Sequence, residues 1–362
     1  MLNISILFLT KIYDFHHSSL ASSFFIKGQN NYNNFSLSNS KFNFFSQSLI
    51  KVHSMPIQKR IFVHNSLFQY FLRSPIKVHN KDENKIKLFE DLTYKNKRFK
   101  IKGGTLTVIR CIFSNNQAKK GGGLNAEHNL CVNLTDCAFS SNIATFGGGF
   151  YIEQADSASL SRILILNNSA EYLGGLFLDG NLESSELFSY VDNLNATFNS
   201  AKEWTGGVRF DHGGGFFINS VISFNSARVC GGFFDQSWKP SKRFIQYALF
   251  LNNSAADRVG AYCAFHIMHQ SKFENCIFVK NECSSSCSSI FIESIDSVVE
   301  VVNCFFDESI EKSLKMKFEF SKFILDGNST FDINFAIDDV QSKLIIVNPN
   351  TQNMKQKSKK RR

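Results

Sequence analysis

Seven asparagines keep step along this chain. Asn116, Asn142, Asn168, Asn199, Asn225, Asn253 and Asn281 are separated by 26, 26, 31, 26, 28 and 28 residues. The same order of residue types returns around each. An apolar residue stands three places before, six of the seven have Ala two places after, and a glycine pair follows. The strongest copies are CIFSNNQAKKGGGL, AFSSNIATFGGGFYI, ILILNNSAEYLGGLFL and VISFNSARVCGGFF. Their glycine pairs are Gly122–Gly123, Gly148–Gly149, Gly174–Gly175 and Gly231–Gly232. The copies weaken elsewhere. The glycines after Asn199 come one place late, Asn253 is followed by Gly260 alone, and Asn281 has Cys283 in the Ala position.

A period near 26 is too short for a pair of helices. The apolar runs GGGFYI, ILIL, VISF and IFIES are short, rich in β-branched and aromatic residues, and bounded by Asn, Ser and Gly, which is the pattern of strands. About three such runs fit each period. Strands stacked coil on coil make a solenoid whose own path connects parallel neighbours. The expected fold is all-β: a right-handed parallel β-helix of about eight or nine coils, each 26–31 residues long.

The motif order has a physical reading. Asn tolerates the left-handed backbone of a tight corner, and its amide offers both a donor and an acceptor. Coils lie about 4.8 Å apart, so an Asn at the same corner of each coil can bond to the coils above and below. The Ala two places on suits a narrow interior. The glycines permit φ > 0 at the next corner and close approach of neighbouring backbones. Asn168 is therefore expected mid-ladder, and Asn167 in solvent.

Tandem Phe-x-x-Asn followed by Gly-Gly and an apolar residue resembles the repeats of the polymorphic membrane proteins of chlamydiae and related protist surface proteins. The resemblance spans roughly residues 103–310. It implies a right-handed, pectin-lyase-like β-helix displayed at the cell surface or secreted. The third motif position here is Gly, Leu or Phe more often than the family's Ala.

The ends differ from the repeats. Residues 1–60 are biased to Phe, Asn, Ser and Lys and read as a low-complexity leader or degenerate first coils. Residues 61–102 read as an N-terminal cap and first coils, which a solenoid needs to block edge pairing. The β-helix is assigned to 103–350 and a basic, disordered tail to 351–362. The net charge of +9 is concentrated at these ends. Residues 1–100 hold 15 basic against 5 acidic residues, KQKSKKRR adds six basic ones, and residues 101–352 hold 19 basic against 26 acidic. A mildly acidic solenoid gives no reason to expect a nucleic-acid partner. No apolar run is long enough for a transmembrane helix. The start, MLNISILFLTK, has an apolar core but neither a basic n-region nor a clear cleavage site.

The nine cysteines include two pairs in phase, Cys111 with Cys137 and Cys276 with Cys304. One coil spacing is within disulfide reach, but buried free thiols packing as small hydrophobes is the preferred reading. Cys283 and Cys287 bracket a serine run. CAFHIMHQSKFENC suggests zinc through Cys263, His266, His269 and Cys276, yet the two histidines would face opposite sides of a strand, so no metal or cofactor is assigned. Asn-x-Ser/Thr sites fall at Asn3, Asn34, Asn133, Asn167, Asn195, Asn252 and Asn328.

β-Helices also host polysaccharide lyases and hydrolases, which gather carboxylates on one strand face. Here Glu153, Asp156, Asp179, Asp211, Asp235 and Asp257 look dispersed, and the Asp338–Asp339 pair lies beyond the best repeats. Arg209, Asp211 and His212 form the one local catalytic-looking group, read as a polar loop ahead of a glycine corner. No catalytic residue is assigned. The expected function is a non-catalytic surface or secreted module, adhesin-like, binding a glycan or protein. The alternatives are a carbohydrate-active enzyme and an intracellular, cytoplasmic structural solenoid.

Overall fold

The computed structural model describes residues 24–25, 34–43, 46, 48–52, 60–79, 104–128, 130–180, 187–237, 240–265, 269–317 and 321–331. The described residues form a right-handed parallel β-helix of about nine turns and are 63% strand. Its one described helical element is a single turn, Ile310–Ser313. One coil shows the plan. Cys131–Thr135 and Ala138–Ser140 run along a long face, Ile143–Phe146 makes a short face, and Phe150–Ala155 makes a face that opens on the glycines. This coil carries four strand segments, whereas in others the two long-face segments run on as one strand, as in Ser157–Leu166 and Leu187–Thr197, leaving three. They stack into parallel sheets of 20, 7 and 11 strands respectively.

The bends between segments set the shape. Where the long face folds, a non-glycine residue takes φ between 49° and 59° in coil after coil, from Asn39 to Asn303. A second such column, from Tyr70 to Lys280, marks the end of the long face. These residues include Arg162, Phe198, Phe224 and Tyr247. A left-handed residue other than glycine costs roughly 1–2 kcal/mol. The amides do not lose their bonds at the bend: Arg110 N donates to Thr135 O at 2.9 Å, and Asn115 N to Ser140 O at 3.1 Å. From Asn65 and Tyr70 to Asn275 and Lys280, five residues separate the two columns in every coil.

Coil length is adjusted elsewhere. The connection from the glycine face back to the long face runs from Ala155 to Ser157 in one coil. It runs from Gly180 to Leu187 in the next and from His79 to Thr105 earlier. The extra residues between Asn168 and Asn199 enter at this connection, and one further residue is inserted after Asn199, ahead of Gly206.

The described residues among 34–52, and residues 60–79, form coils stacked in register beneath residue 104, as in Phe35↔Ile61↔Leu106. The assigned tail, 351–362, lies outside the described residues, as do the sequons at Asn3 and the side chain of Asn34.

One apolar core runs the length of the solenoid. Phe42, Phe68, Phe113 and Phe139 stack face to face with centroids 4.8–5.6 Å apart. In the same register follow Ile165, Ala196 and Ile222, and the column then returns to Phe250, Phe278, Phe306 and Phe331 at 4.6–4.8 Å. In the same core Phe210, Phe217 and Phe233 pack edge-on or tilted against one another. Beside them lies a fully buried ion pair. Arg243 Nε and Nη2 reach Asp235 at 3.0 and 3.2 Å, with Tyr262 Oη donating to Asp235 at 3.1 Å and Phe210 under the guanidinium.

Candidate functional site

The Asn column is fully buried, with Asn116 through Asn253 at 0% exposure and Asn281 at 3%. Each Nδ2 donates to Oδ1 of the next Asn at 2.9–3.0 Å, from Asn116 through to Asn281. The same Oδ1 accepts the backbone N–H of the Asn below, as in Asn142 N to Asn168 Oδ1 at 3.0 Å. The second N–H closes on a carbonyl of the previous coil, for example Asn168 Nδ2 to Phe139 O at 2.9 Å. At the lower end Phe71 N caps Asn116 Oδ1 at 2.9 Å.

Two details of the motif reading change. The left-handed residue is not the ladder Asn but the one before it, such as Asn115, Asn167 or Phe198. The paired glycines likewise do not take φ > 0, which falls on Gly121 and Gly147, one place earlier. The pairs serve close approach. A Cβ on Gly148 would lie 2.2 Å from Gly174 O, and one on Gly175 2.2 Å from Gly207 O. The Ala residues stack as Ala118↔Ala144↔Ala170↔Ala201 on the short face, outside the continuous core.

Two outward surfaces carry chemistry. The first is the outer side of the glycine face. Glu127 pairs in register with His79 on one side and Glu153 on the other, and Asp179 with Asp211. The acids that look dispersed in sequence therefore form one line. The spacings 127, 153 and 179 repeat the 26-residue period, which is the signal that would have revealed it. Asp156 and Asp257 lie off this line, and Asp235 points inward to Arg243.

Each carboxylate of the line holds a basic side chain. Lys120 Nζ bridges Glu127 and Glu153 at 3.3 and 2.8 Å, His212 Nδ1 meets Asp179 at 2.7 Å, and Arg209 grips Asp211 with two bonds of 2.8 and 2.9 Å. Glu293 is held by Arg258 and Lys317. Arg209 and Asp211 thus belong to the strand Val208–Asp211 rather than to a loop. Burial pushes the Asp179 carboxyl up, Asp211 adds to this, and His212 opposes it. Burial also pushes Glu127 up, but Lys120, Asn125 and His79 together outweigh it and hold it low.

The second surface is the outer side of the long face. Register places Tyr190, Phe216, Phe244, Lys272 and Glu300 in one outward column. Asp192, Ile218, Gln246 and Glu274 form the next. Tyr190 is 45% exposed, and its ring neighbours Phe216 at 6.4 Å, which stacks on Phe244 at 5.1 Å. Gln246 Nε2 donates to Glu274 at 2.6 Å, and Asn219 Nδ2 to Asp192 at 2.9 Å. Along the adjoining bend, Phe198 and Phe224 are 54% and 41% exposed and stack at 4.8 Å.

All nine cysteines are free thiols. Cys111, Cys137, Cys276 and Cys304 occupy the position just after the first bend and donate to the carbonyl two residues back at 3.3–3.5 Å. Ser40, Ser66 and Ser220 make the same bond at 2.7–2.9 Å, so the column takes either hydroxyl or thiol. Cys263 packs with Cys230 and Phe234 outside the glycine face and burial pushes its thiol up to about 12, whereas Cys276 lies in the main core. These two do not converge on a zinc position; His266 and the side chain of His269 lie outside the described residues.

No protein-family model matches the chain, and neither curated proteins nor solved structures include one similar to it. Among the described residues no helix is long and apolar enough to cross a membrane.

Proposed function

We propose that the chain is a non-catalytic, adhesin-like interaction module, displayed at a cell surface or secreted, whose long face binds a glycan. The observation that carries this reading is the outward aromatic column Tyr190–Phe216–Phe244 beside the amides and carboxylates of Asp192, Gln246 and Glu274. Exposed rings offer apolar faces to the C–H side of a sugar, while planar amides and carboxylates meet its hydroxyls. Tyr190 is exposed and Phe216 and Phe244 are half-buried, and a contiguous outward apolar set of this kind marks a binding surface. Solenoids present surfaces of this extended kind. The resemblance of the repeats to polymorphic membrane proteins supports surface display.

The experiment is a glycan-array screen of the full chain beside a Tyr190→Ser, Phe216→Ser, Phe244→Ser variant. Binding to a glycan class that the variant loses supports the reading. Equal binding by both, or binding to protein ligands alone, overturns it. Antibody labelling of intact producing cells tests display, and signal only after permeabilisation would favour an intracellular structural role.

The line Glu127–Glu153–Asp179–Asp211 favours a second reading, a carbohydrate-active enzyme, because carboxylates one or two coils apart have the spacing such chemistry uses. Their lateral pairing with Lys120, His212 and Arg209 supports the non-catalytic reading instead. Release of reducing or unsaturated sugar ends, abolished by Asp179→Asn, would reverse that judgement.

A further inference from the structure

We propose that His79, Glu127 and His128 form a zinc-type divalent metal site at the end of the glycine face. His79 ends the strand Ile76–His79 and Glu127 ends Leu124–Glu127, and parallel register sets the two side by side. His128 follows with φ 65°, and this bend brings its ring to 4.9 Å from that of His79 at an interplanar angle of 75°. One ligand atom from each of the three residues lies within 4.8 Å of the other two. Two imidazoles and one carboxylate form a donor set that takes zinc and leaves a fourth position for water or substrate. Imidazole donors disfavour calcium and magnesium, which take oxygen.

The surroundings orient these groups as the outer shell of a metal site does. Gln154 Oε1 lies 2.7 Å from His128 Nδ1. An amide oxygen accepts, so Nδ1 carries the hydrogen and Nε2 keeps the lone pair a metal needs. Asn125, 2% exposed, donates from Nδ2 to Glu127 Oε1 at 3.2 Å, while its buried Oδ1 has no hydrogen-bond partner. That oxygen lies beside the carboxylate as a further donor. Lys120 is the competing cation, 3.3 Å from Glu127 and 2.8 Å from Glu153. Metal binding at Glu127 moves Lys120 wholly onto Glu153, so this lysine tunes affinity downward.

The test uses the full-length, untagged chain stripped with a chelator and titrated with Zn²⁺ and Co²⁺. One ion per chain is expected, with visible Co²⁺ bands that lack thiolate charge transfer. His128→Asn, which keeps a residue tolerant of φ > 0, and Glu127→Gln should each weaken binding at least about tenfold. His212→Asn, at the neighbouring pair with Asp179, should leave it unchanged. Lys120→Met removes no ligand and should tighten binding, which keeps the proposal testable even if a ligand variant folds poorly. A thiolate-dominated Co²⁺ spectrum, affinity indifferent to His128→Asn and Glu127→Gln, or weaker binding by Lys120→Met would overturn the site.

Discussion

The Asn ladder and the Phe stack are two columns from one motif, three residues apart, buried in the same coils. The Asn column runs from Asn116 to Asn281 without a substitution. The Phe column lapses to Ile165, Ala196 and Ile222 in the middle and then resumes. The difference lies in what each column must satisfy. A buried amide has directed donors and acceptors, and a neighbour of another type leaves groups of two coils unpaired. An apolar position asks only that its volume be filled, so Ile and Ala can stand where Phe stands elsewhere in the same continuous core.

The hardest test of this contrast is in the middle of the core, where a polar group sits among the replacement aromatics. Arg243→Met leaves Asp235 buried with its main cationic partner gone, and should cost about 3–5 kcal/mol by denaturant unfolding. Asn168→Ala strips partners from Asn142, Asn199 and Phe139 O, and a loss of about 3 kcal/mol is expected because several buried groups lose bonds at once. The adjacent apolar change Ile165→Val should cost only about 0.5–1.5 kcal/mol. Equal losses at residues 165 and 168 would erase the distinction between the columns. Asn167 sharpens it further: it is exposed but has φ 55°, so Asn167→Ala should cost about 1 kcal/mol through the backbone alone. Asn167→Gly should be nearly silent.

The smallest effect concerns pH at the outer line. Asp179 is held above the usual carboxylate range, chiefly by burial. The folded state therefore binds this proton more tightly than the unfolded chain does. The resulting stabilisation is complete below the ordinary carboxylate pKa and is lost as pH rises through the folded value. Relative to Asp179→Asn, the parent should lose stability as pH rises above about 4, measured by urea unfolding at several pH values. The opposite slope would mean that His212 dominates.

Fold and ladder were legible because both recur at the coil period, so seven weak local signals added in phase. The left-handed bends were harder to see. Phe198, Phe224 and Arg162 carry no turn signature, since stacking within the solenoid overrides local preference there. Glu127, Glu153 and Asp179 stand at the 26-residue coil spacing, a signal that shows only when positions are aligned across coils rather than along the chain. The grouping of His79 with Glu127 was not legible, because 48 residues and the long connection after residue 79 lie between them.

That connection has a consequence for how such a chain can change. Two bends are locked at a five-residue interval, and the Asn and glycine corners leave little slack. The passage from the glycine face to the long face accepts one residue, as between Ala155 and Ser157, or the whole stretch between His79 and Thr105, while the flanking strands keep their register. It is a natural insertion port: a foreign peptide spliced after Gly180 would be presented on a fixed frame, and new recognition loops could be acquired there one coil at a time.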